Sequence, residues 1–239
     1  MGHSFYRMRT TDKYAIFSRE DMFNIPFDLL ELQNYARFNA LGYSCLYLAN
    51  SLYISWEEMR RPDISKVNFA HFKNQKQMNL LDLTIPLKIT KRKDLLTIFL
   101  TLLCTVEVSN DEKSYKYEYV IPNLVIGSLI SAYFDSSRLS LDGIRYISSK
   151  RFESEKLEFD NQTQLIYDYV FPALDYEQKG HCNHLKHLFK LSKGRSLFLY
   201  NAHQICFRKK TTFTTNYKDS LFYELENYVK KEKLDFIRE

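Results

Sequence analysis

The chain has 239 residues and a formal net charge of +5; 45% of its residues are hydrophobic, and only 6 are glycine and 5 are proline. This composition excludes fibrous and intrinsically disordered proteins and predicts a globular fold with a sizeable core. The 18 tyrosines and 18 phenylalanines supply rigid rings for burial and, where partly exposed, for stacking on a flat ligand. The mild positive charge suits a phosphate-bearing small ligand or an acidic partner without selecting either.

The cysteines and the apolar segments limit the cellular setting. No CxxC pair occurs among Cys45, Cys104, Cys182 and Cys206, so the sequence does not indicate a disulfide framework or a thiolate metal site. The first ten residues lack the apolar core of a signal peptide. The most apolar stretch, residues 95–106, is too short to span a bilayer, and we predict a buried helix or strand there. We expect a soluble cytoplasmic protein that does not associate with membranes.

The N-terminal quarter of the sequence predicts two strands and a helix. Residues 4–9 (SFYRMR) alternate in polarity and predict a strand that carries Arg7. A second strand is predicted over residues 43–49 (YSCLYLA), and Ser51 is a suitable N-cap for a helix that begins at Leu52.

The rest of the chain predicts further elements but no internal repeat or linker, so we expect a single domain over residues 1–239. Residues 64–94 are polar and mixed in character. The predicted elements are a strand within residues 80–89, a helix with Pro122 in its first turn, a turn at Asp142 and Gly143 before a short strand, a strand that ends at Pro172, and a helix from about Asp219 to Lys233.

Two kinds of charged residue have a spacing that suits a binding site. Glu57 and Glu58 lie on the predicted helix, which Arg61 and Pro62 end. One carboxylate can therefore face a cleft lined by the strand of Tyr47 while the other faces water. An isolated pair of this kind is usually only solvated. Arg7 and Arg37 each neighbour an aromatic residue, which can hold a guanidinium for a bidentate contact with phosphate but also occurs on ordinary surfaces.

The histidine group and the basic segments of the sequence do not predict a functional site. The group His181, Cys182, His184 and His187 has neither an HExxH motif nor a second ligand pair, so we predict satisfied or solvated histidines and no metal. The basic segments 88–94 (KITKRKD) and 207–213 (FRKKTTF) match no nucleic-acid module, and we predict solvated strand ends. Motifs of serine hydrolases, nucleoside triphosphatases and Rossmann enzymes are absent.

Four blocks in a fixed order resemble the RES-domain family, which is named for an arginine, a glutamate and a serine. The blocks are FYRMR (5–9), RFNALGYSCLYLANSLYISWEEM (37–59), YVIPNLVIGSLI (119–130) and DGIRYISS (142–149). The sequence departs from the family pattern at Ala40 and Leu41, where prolines are common, and at Ile147, where proline often precedes the serine. The resemblance covers residues 5–150 and extends only loosely beyond them.

The resemblance implies an α+β fold of the ADP-ribosyltransferase type, with a split β-sheet flanked by helices, that takes NAD as its substrate. It implies cleavage of the nicotinamide–ribose bond by hydrolysis or phosphorolysis, or transfer of ADP-ribose to a protein. Carried over to this sequence, the family's residues are Arg7, Glu58 and Ser148, with Glu57 and Ser149 as fallbacks.

The chemistry of NAD cleavage agrees with this assignment. Departure of neutral nicotinamide builds positive charge on the ribose, which the Glu58 carboxylate would stabilise. Arg7 and Arg37 would hold the pyrophosphate, Tyr47 would flank the nicotinamide ring, and Ser148 would fix the pose of the ligand. Members of the family commonly act as bacterial toxins, which implies an antitoxin partner. A homo-oligomer and a non-catalytic module that binds protein or nucleic acid stay open, with nucleic acid disfavoured.

Overall fold

The protein is described here from a computed structural model, which covers residues 2–11, 15–33, 35–39, 42–86, 88–106, 108, 116–135, 140–148, 167–175, 177–203 and 217–237. The strands are β1 (Ser4–Thr10), β2 (Cys45–Ala49), β3 (Val67–Asn74), β4 (Leu80–Leu83), β5 (Gly143–Ile147), β6 (Tyr167–Pro172), β7 (Phe189–Leu191) and β8 (Arg195–Ser196). The α-helices are α1 (Arg19–Met22), α2 (Leu52–Glu58), α3 (Arg92–Cys104), α4 (Val120–Phe134), α5 (Asn183–Leu188), α6 (Leu197–His203) and α7 (Leu221–Lys230).

The strands of these ranges form one mixed sheet with helices on both faces. Their spatial order is β4-β5-β6-β2-β1-β3-β7, and β8 pairs with β3. Neighbouring strands are antiparallel except for β4 and β5, which are parallel. The prediction of an α+β fold with a mixed sheet flanked by helices is confirmed.

Strands β1 and β2 have the shortest pairing of any two neighbouring strands in this sheet. These strands share one registered pair, Tyr6 with Ala49. In contrast, β1 and β3 are in register over the whole of β1, from Ser4 with Lys73 to Thr10 with Val67. The strands join into one continuous sheet, so the predicted split corresponds at most to this narrow junction.

Alternation along the strands sends side chains to two different cores, as the period of two requires. One face carries an aromatic core in which Phe5, Phe171 and Phe189 pack edge to face, with ring centroids 4.9–6.2 Å apart. Helices α1 and α5 cover this face through Met22 and Leu185. Many of the phenylalanines are therefore buried on this side of the sheet.

The opposite face carries two separate cores. On the β1 and β3 side, Tyr6 and Met8 pack against α2 and α7 in a cluster that includes Trp56 and Phe222. On the β5 and β6 side, a second cluster packs against α3 and α4; it contains Ile126, Leu129, Ile144, Tyr146 and Val170. Because helices cover each end of this face separately, a cleft is left between the two clusters.

Strand β3 is a central strand in a segment that the sequence analysis described only as polar and mixed. Six of its first seven residues are buried, and its polar members find partners within the fold. The Asn68 side chain donates to Ala15 O at 2.8 Å and accepts from Phe17 N at 3.2 Å. Buried polar side chains that find hydrogen-bond partners in other segments make a core strand look like a surface segment in the sequence.

The apolar stretch 95–106 lies mainly in α3, but the prediction that it is buried is wrong. Only Thr101 and Cys104 of this helix are buried, while Leu96 and Phe99 are 63% and 61% exposed. The basic segment before it is not a strand end either, because the Asp94 carboxylate accepts from Thr90 N and Lys91 N and begins the helix. The other basic segment, 207–213, and Cys206 lie outside the described residues.

Several predicted elements are confirmed. Strand β6 ends at Pro172, the short strand β5 is present, and Pro122 lies in the first turn of α4. The predicted turn at Asp142 and Gly143 is not observed, because β5 already begins at Gly143. The C-terminal helix is α7, which begins after its N-cap Ser220 and is shorter than predicted. The cysteines at 45, 104 and 182 are free and buried.

Candidate functional site

A cleft of about 520 Å³ lies between β1 and β2 where the two helical clusters part. This volume falls within the range typical of small-molecule sites. The lining combines three chemical groups: the cations Arg7, Arg37, Arg60 and Lys116; the acids Glu58 and Asp168; and the phenols Tyr35, Tyr47, Tyr119 and Tyr146.

Helix α2 brings Glu58 to this cleft. Its N-cap Ser51 accepts from Ile54 N at 3.2 Å, as the sequence predicted. Six of its seven residues are buried, so the helix is held by packing along its length. Glu58 is the last residue, and the two residues that follow Met59 turn sharply away: Arg60 and Arg61 have φ of 63° and 53°. Left-handed backbone is costly for residues other than glycine and is concentrated at functional sites.

Ser148 meets Glu58 across a separation of 90 residues, and its hydroxyl donates to Glu58 Oε1. Ser148 is fully buried and directly follows β5. The sequence prediction placed these two residues in one site, and the structure brings their side chains into contact. Ser149, the fallback, lies outside the described residues.

Glu57 is not part of the cleft. Its Oε2 accepts from Arg61 Nε at 3.0 Å, and Arg61 also lies over the Trp56 ring, 5.7 Å from its centroid. This ion pair closes the end of α2 on the side away from Ser148. Of the two adjacent glutamates, only Glu58 lines the cleft.

Asp168 is a cleft residue that the sequence analysis missed. It lies on β6, in register with Ala49 of β2 and Tyr146 of β5, and is only 4% exposed. Burial raises its pKa well above the usual range, and the charge of Glu58 raises it further. The signal was an aspartate inside the otherwise apolar and aromatic strand YDYVFP, because a lone acid in a buried strand breaks its pattern.

Two phenols stand beside the acids. Burial raises the pKa of Tyr47 and of Tyr146 well above the usual range, and the charge of Glu58 adds to the effect in both. Both side chains are therefore neutral near pH 7. The Tyr47 hydroxyl accepts from Phe38 N at 3.2 Å, which fixes the ring at the wall of the cleft.

Arg7 lies in the cleft with part of its guanidinium already engaged. Its Nη1 donates to Phe23 O at 2.6 Å and Met22 O at 3.3 Å, at the end of α1. Burial, assisted by the charge of Arg9, lowers its pKa to about 9, so it still carries its charge at pH 7. Within the described ranges no carboxylate forms an ion pair with Arg7. A buried cation without a protein counter-charge favours an anionic ligand.

Arg37 has a similar anchorage on the other side. Its Nη1 donates to Cys104 O at 2.6 Å and Val106 O at 2.9 Å, at the end of α3. Its guanidinium lies over the Tyr119 ring, 5.4 Å from the centroid. Both predicted phosphate-binding arginines thus line one cleft while one nitrogen of each stabilises a helix C-terminus.

The histidine group lies apart from the cleft and each ring has its own neighbour. His181 Nδ1 lies 2.8 Å from Asn24 O, and His187 Nδ1 lies 2.7 Å from Asn183 O. His184 Nε2 lies 3.2 Å from a carboxylate oxygen of Asp142. In the portion of the chain that the structure describes, no group of three or more His, Cys, Asp or Glu side chains could hold a metal ion.

The helices of the described ranges are all too short or too polar to cross a membrane. This follows from their lengths, since the longest, α4, has 15 residues.

Comparison with known proteins finds a relative that is similar over nearly the whole chain. It is 28% identical over 241 residues to a protein of Bacillus subtilis (strain 168) described as "Putative toxin YopC". The matched region covers 93% of this chain and 51% of that protein, so the chain spans about half the length of this relative. No family model and no solved structure matches the chain. The similarity extends over nearly the whole chain and is not confined to the cleft residues.

Proposed function

We propose that the protein consumes NAD by breaking the bond between nicotinamide and ribose. The observation that carries this proposal is the combination, in one cleft, of Arg7, which forms no ion pair with a carboxylate among the described residues, and Glu58, which is bonded to Ser148. NAD has a matching distribution of charge: an anionic pyrophosphate, and a ribose carbon that becomes positive as nicotinamide departs. The RES-domain resemblance of the sequence led to the same residues.

Each side chain has a role that its contacts support. The Glu58 carboxylate faces the developing positive charge on the ribose, and the Ser148 hydroxyl fixes its orientation. Arg7 and Arg37 bind the pyrophosphate from the cleft walls that both side chains line. Tyr47 provides a flat wall for the nicotinamide ring.

Nicotinamide leaves as a neutral molecule, so the site needs no strong general acid. The carbon–nitrogen bond breaks with its electron pair going to nicotinamide, and an oxygen of water or phosphate bonds to the ribose carbon. The rate then depends on electrostatic stabilisation and on exclusion of alternative poses. The rigid anchorage of Arg7, Arg37 and Tyr47 to backbone groups supports such preorganisation.

A toxic role follows from this chemistry, since loss of NAD stops the metabolism of a cell. The relative described as a toxin supports this role, and we propose that an antitoxin protein restrains the activity. The relative is about twice as long as this chain, so its additional half has no counterpart in the matched region.

Release of nicotinamide from NAD by the purified chain tests the proposal. We expect Glu58→Gln to lower the rate by roughly 100-fold, the scale of one preorganised electrostatic contact. Glu31→Gln, which changes an exposed glutamate far from the cleft, is the matched control and should retain the rate of the wild type. The variant Glu57→Gln shows which of the two neighbouring glutamates the rate of nicotinamide release depends on.

The products identify the acceptor. Mass spectrometry of the same reaction, with and without inorganic phosphate, distinguishes ADP-ribose from ADP-ribose 1-phosphate. Labelled NAD added to a cell lysate reveals transfer of ADP-ribose to a protein. Absence of nicotinamide release under all these conditions, or equal rates for the wild type and Glu58→Gln, would rule the proposal out.

A further inference from the structure

Asp168 poses a physical problem that the proposed function leaves unexplained. Its side chain is 4% exposed, and its Oδ2 atom is buried without a hydrogen-bond partner among the described residues. An unpartnered buried carboxylate oxygen is costly, because the anion loses its hydration without compensation. Native proteins keep such an atom mainly where a proton, a ligand or a catalytic task accounts for it.

The surroundings of Asp168 contain a second acid. Glu58 interacts with it both through charge and through a side-chain hydrogen bond, and Ser148 reaches it as well. Asp168 is buried and Glu58 is partly buried, so two negative charges in contact there would repel each other strongly, and ionisation of both at neutral pH is disfavoured. One of the two must keep a proton.

The contacts decide which acid keeps it. Glu58 Oε1 already accepts from the Ser148 hydroxyl, so this oxygen has a donor. As an anion, Asp168 Oδ2 has no donor to accept from; as a carboxylic acid it becomes a donor, and Glu58 is an acceptor within reach. Protonation of Asp168 therefore removes the unpartnered atom and the repulsion together.

We infer that Asp168 is a positioning residue which keeps one proton and donates it in a hydrogen bond to the Glu58 carboxylate. Glu58 is then held by two donors, Ser148 and Asp168, and carries the single negative charge of the pair. The part that this pair takes in catalysis rests on the proposed function; the shared proton itself does not.

The groups that face Asp168 come from every element packed around it. From α2 it is faced by Glu58, from β5 by Tyr146 and, directly after that strand, by Ser148, while Tyr47 and the cations line the same cleft. The charged and titratable residues of this set are Glu58, Tyr47, Tyr146, Arg7, Arg37, Arg60 and Lys116. The two phenols are neutral near pH 7, so Glu58 is the group that controls Asp168.

This pairing gives each acid a separate task in NAD cleavage. The bond from ribose to nicotinamide breaks with its electron pair on nicotinamide, and Glu58 stabilises the positive ribose. When water is the acceptor, its oxygen bonds to the ribose carbon and its proton passes to the Glu58 carboxylate and then to solvent. Asp168 keeps its own proton throughout and holds Glu58 in place.

The decisive measurement is a carbon-13 NMR titration of the apo protein labelled at aspartate carboxyl groups. We expect one aspartate to titrate far above the others, its resonance to vanish in Asp168→Asn, and its pKa to fall in Glu58→Gln. This readout does not depend on enzymatic activity. An Asp168 carboxyl that titrates in the ordinary range, or that is indifferent to Glu58→Gln, would overturn the inference.

Kinetics provide the second arm. Asparagine keeps an N–H donor, so Asp168→Asn should retain nicotinamide release at pH 7 within about fivefold, whereas Asp168→Leu should lose roughly 10- to 100-fold because the bond to a charged group is gone. As pH rises, wild-type Asp168 ionises, repels Glu58, and the rate falls; Asp168→Asn should lack this alkaline limb. An unchanged alkaline limb in Asp168→Asn would also overturn the inference.

The two arms separate failure of this inference from failure of the proposed function. If the titration shows the raised aspartate but the wild type releases no nicotinamide, the proton-sharing pair stands and NAD cleavage falls. If nicotinamide is released but Asp168→Asn loses as much activity as Glu58→Gln, Asp168 is itself the required anion and the positioning role is wrong. Thermal unfolding of each variant verifies that it is folded.

Discussion

The Oε1 atom of Glu226 accepts a hydrogen bond from the backbone N–H of Leu52 at 2.8 Å. Leu52 is the first residue of α2, and Glu226 lies on α7, 174 positions further along the chain. The same oxygen accepts from the Tyr217 hydroxyl. A carboxylate at this position accepts from an N–H group that has no partner within the helix, and its negative charge interacts favourably with the helix dipole. The C-terminal part of the chain thus supports the helix that ends in Glu58.

Glu226 should make stability depend on pH. Burial raises its pKa from 4.5 to about 7, so the folded chain binds the proton more tightly than the unfolded chain. Its contribution to stability is therefore complete below about pH 4.5 and is lost as the pH rises through about 7. Glu226→Gln should flatten this decline, by up to about 3 kcal/mol in the free energy of unfolding. Urea unfolding at several pH values between 4 and 8 measures how the free energy of unfolding depends on pH in the wild type and in Glu226→Gln.

The control for this series is Glu31→Gln, which should keep the wild-type dependence on pH because its side chain is exposed. An identical slope in wild type and Glu226→Gln would show that Glu226 does not titrate in this range.

Arg7 should control the binding of the anionic part of the ligand. Replacement by methionine removes a buried charge that has no carboxylate partner within the described ranges, so ADP-ribose should bind roughly 10- to 100-fold more weakly, the scale of one hydrogen bond to a charged group. Isothermal titration calorimetry measures the dissociation constant. Arg9→Met is the matched control, since Arg9 is an exposed arginine on the same strand. Equal affinities for the two variants would contradict the assignment.

Ser148 should affect the chemical step more than binding. Ser148→Ala removes the donor to Glu58 Oε1 and leaves this partly buried carboxylate with one partner fewer. We expect kcat for nicotinamide release to fall about 10-fold with little change in KM, since one hydrogen bond to a charged group is lost. Ser128→Ala, at a position on α4 away from the cleft, is the control. A larger effect on KM than on kcat would point to a ligand contact instead.

Two substitutions of Arg60 should have the same effect on ligand binding but different effects on stability. Its φ of 63° is strained for any residue with a β-carbon, so Arg60→Gly should gain about 1 kcal/mol of stability from the relieved backbone. The same change removes a cation from the cleft and should weaken the binding of ADP-ribose. Arg60→Ala keeps the strain and also loses the cation, so it should share the weaker binding without the gain. Chemical unfolding and calorimetry on both variants test this, and a Gly variant less stable than the Ala variant would contradict it.

The sequence was most informative where the physical signal is local. The alternation of SFYRMR, the N-cap Ser51 and the start of the following helix at Leu52 each depend on residues within a few positions of one another. These features were predicted and are confirmed as structure. The roles of Arg7, Glu58 and Ser148 stay predictions until they are measured.

The sequence was misleading where partners lie far along the chain. Strand β3 contains Asn68, His71 and Asn74, and its polar pattern concealed a buried strand because each of them has a partner in another segment of the chain. Likewise the apolar residues of α3 predicted burial, but burial also requires a neighbouring element, and Leu96 and Phe99 are left mostly exposed.

The sequence alone determined many of the local elements and, through its resemblance to a family, predicted Arg7, Glu58 and Ser148 as site residues. Arg7 and Glu58 line one cleft, and Ser148 contacts Glu58. Only the tertiary structure decided that Asp168 stands beside Glu58 and that Glu226 holds the start of α2. The physical reason is the range of the forces involved. Helix caps and side-chain periodicity act within about four residues, whereas the meeting of two acids 110 positions apart depends on which strands pair and in which register.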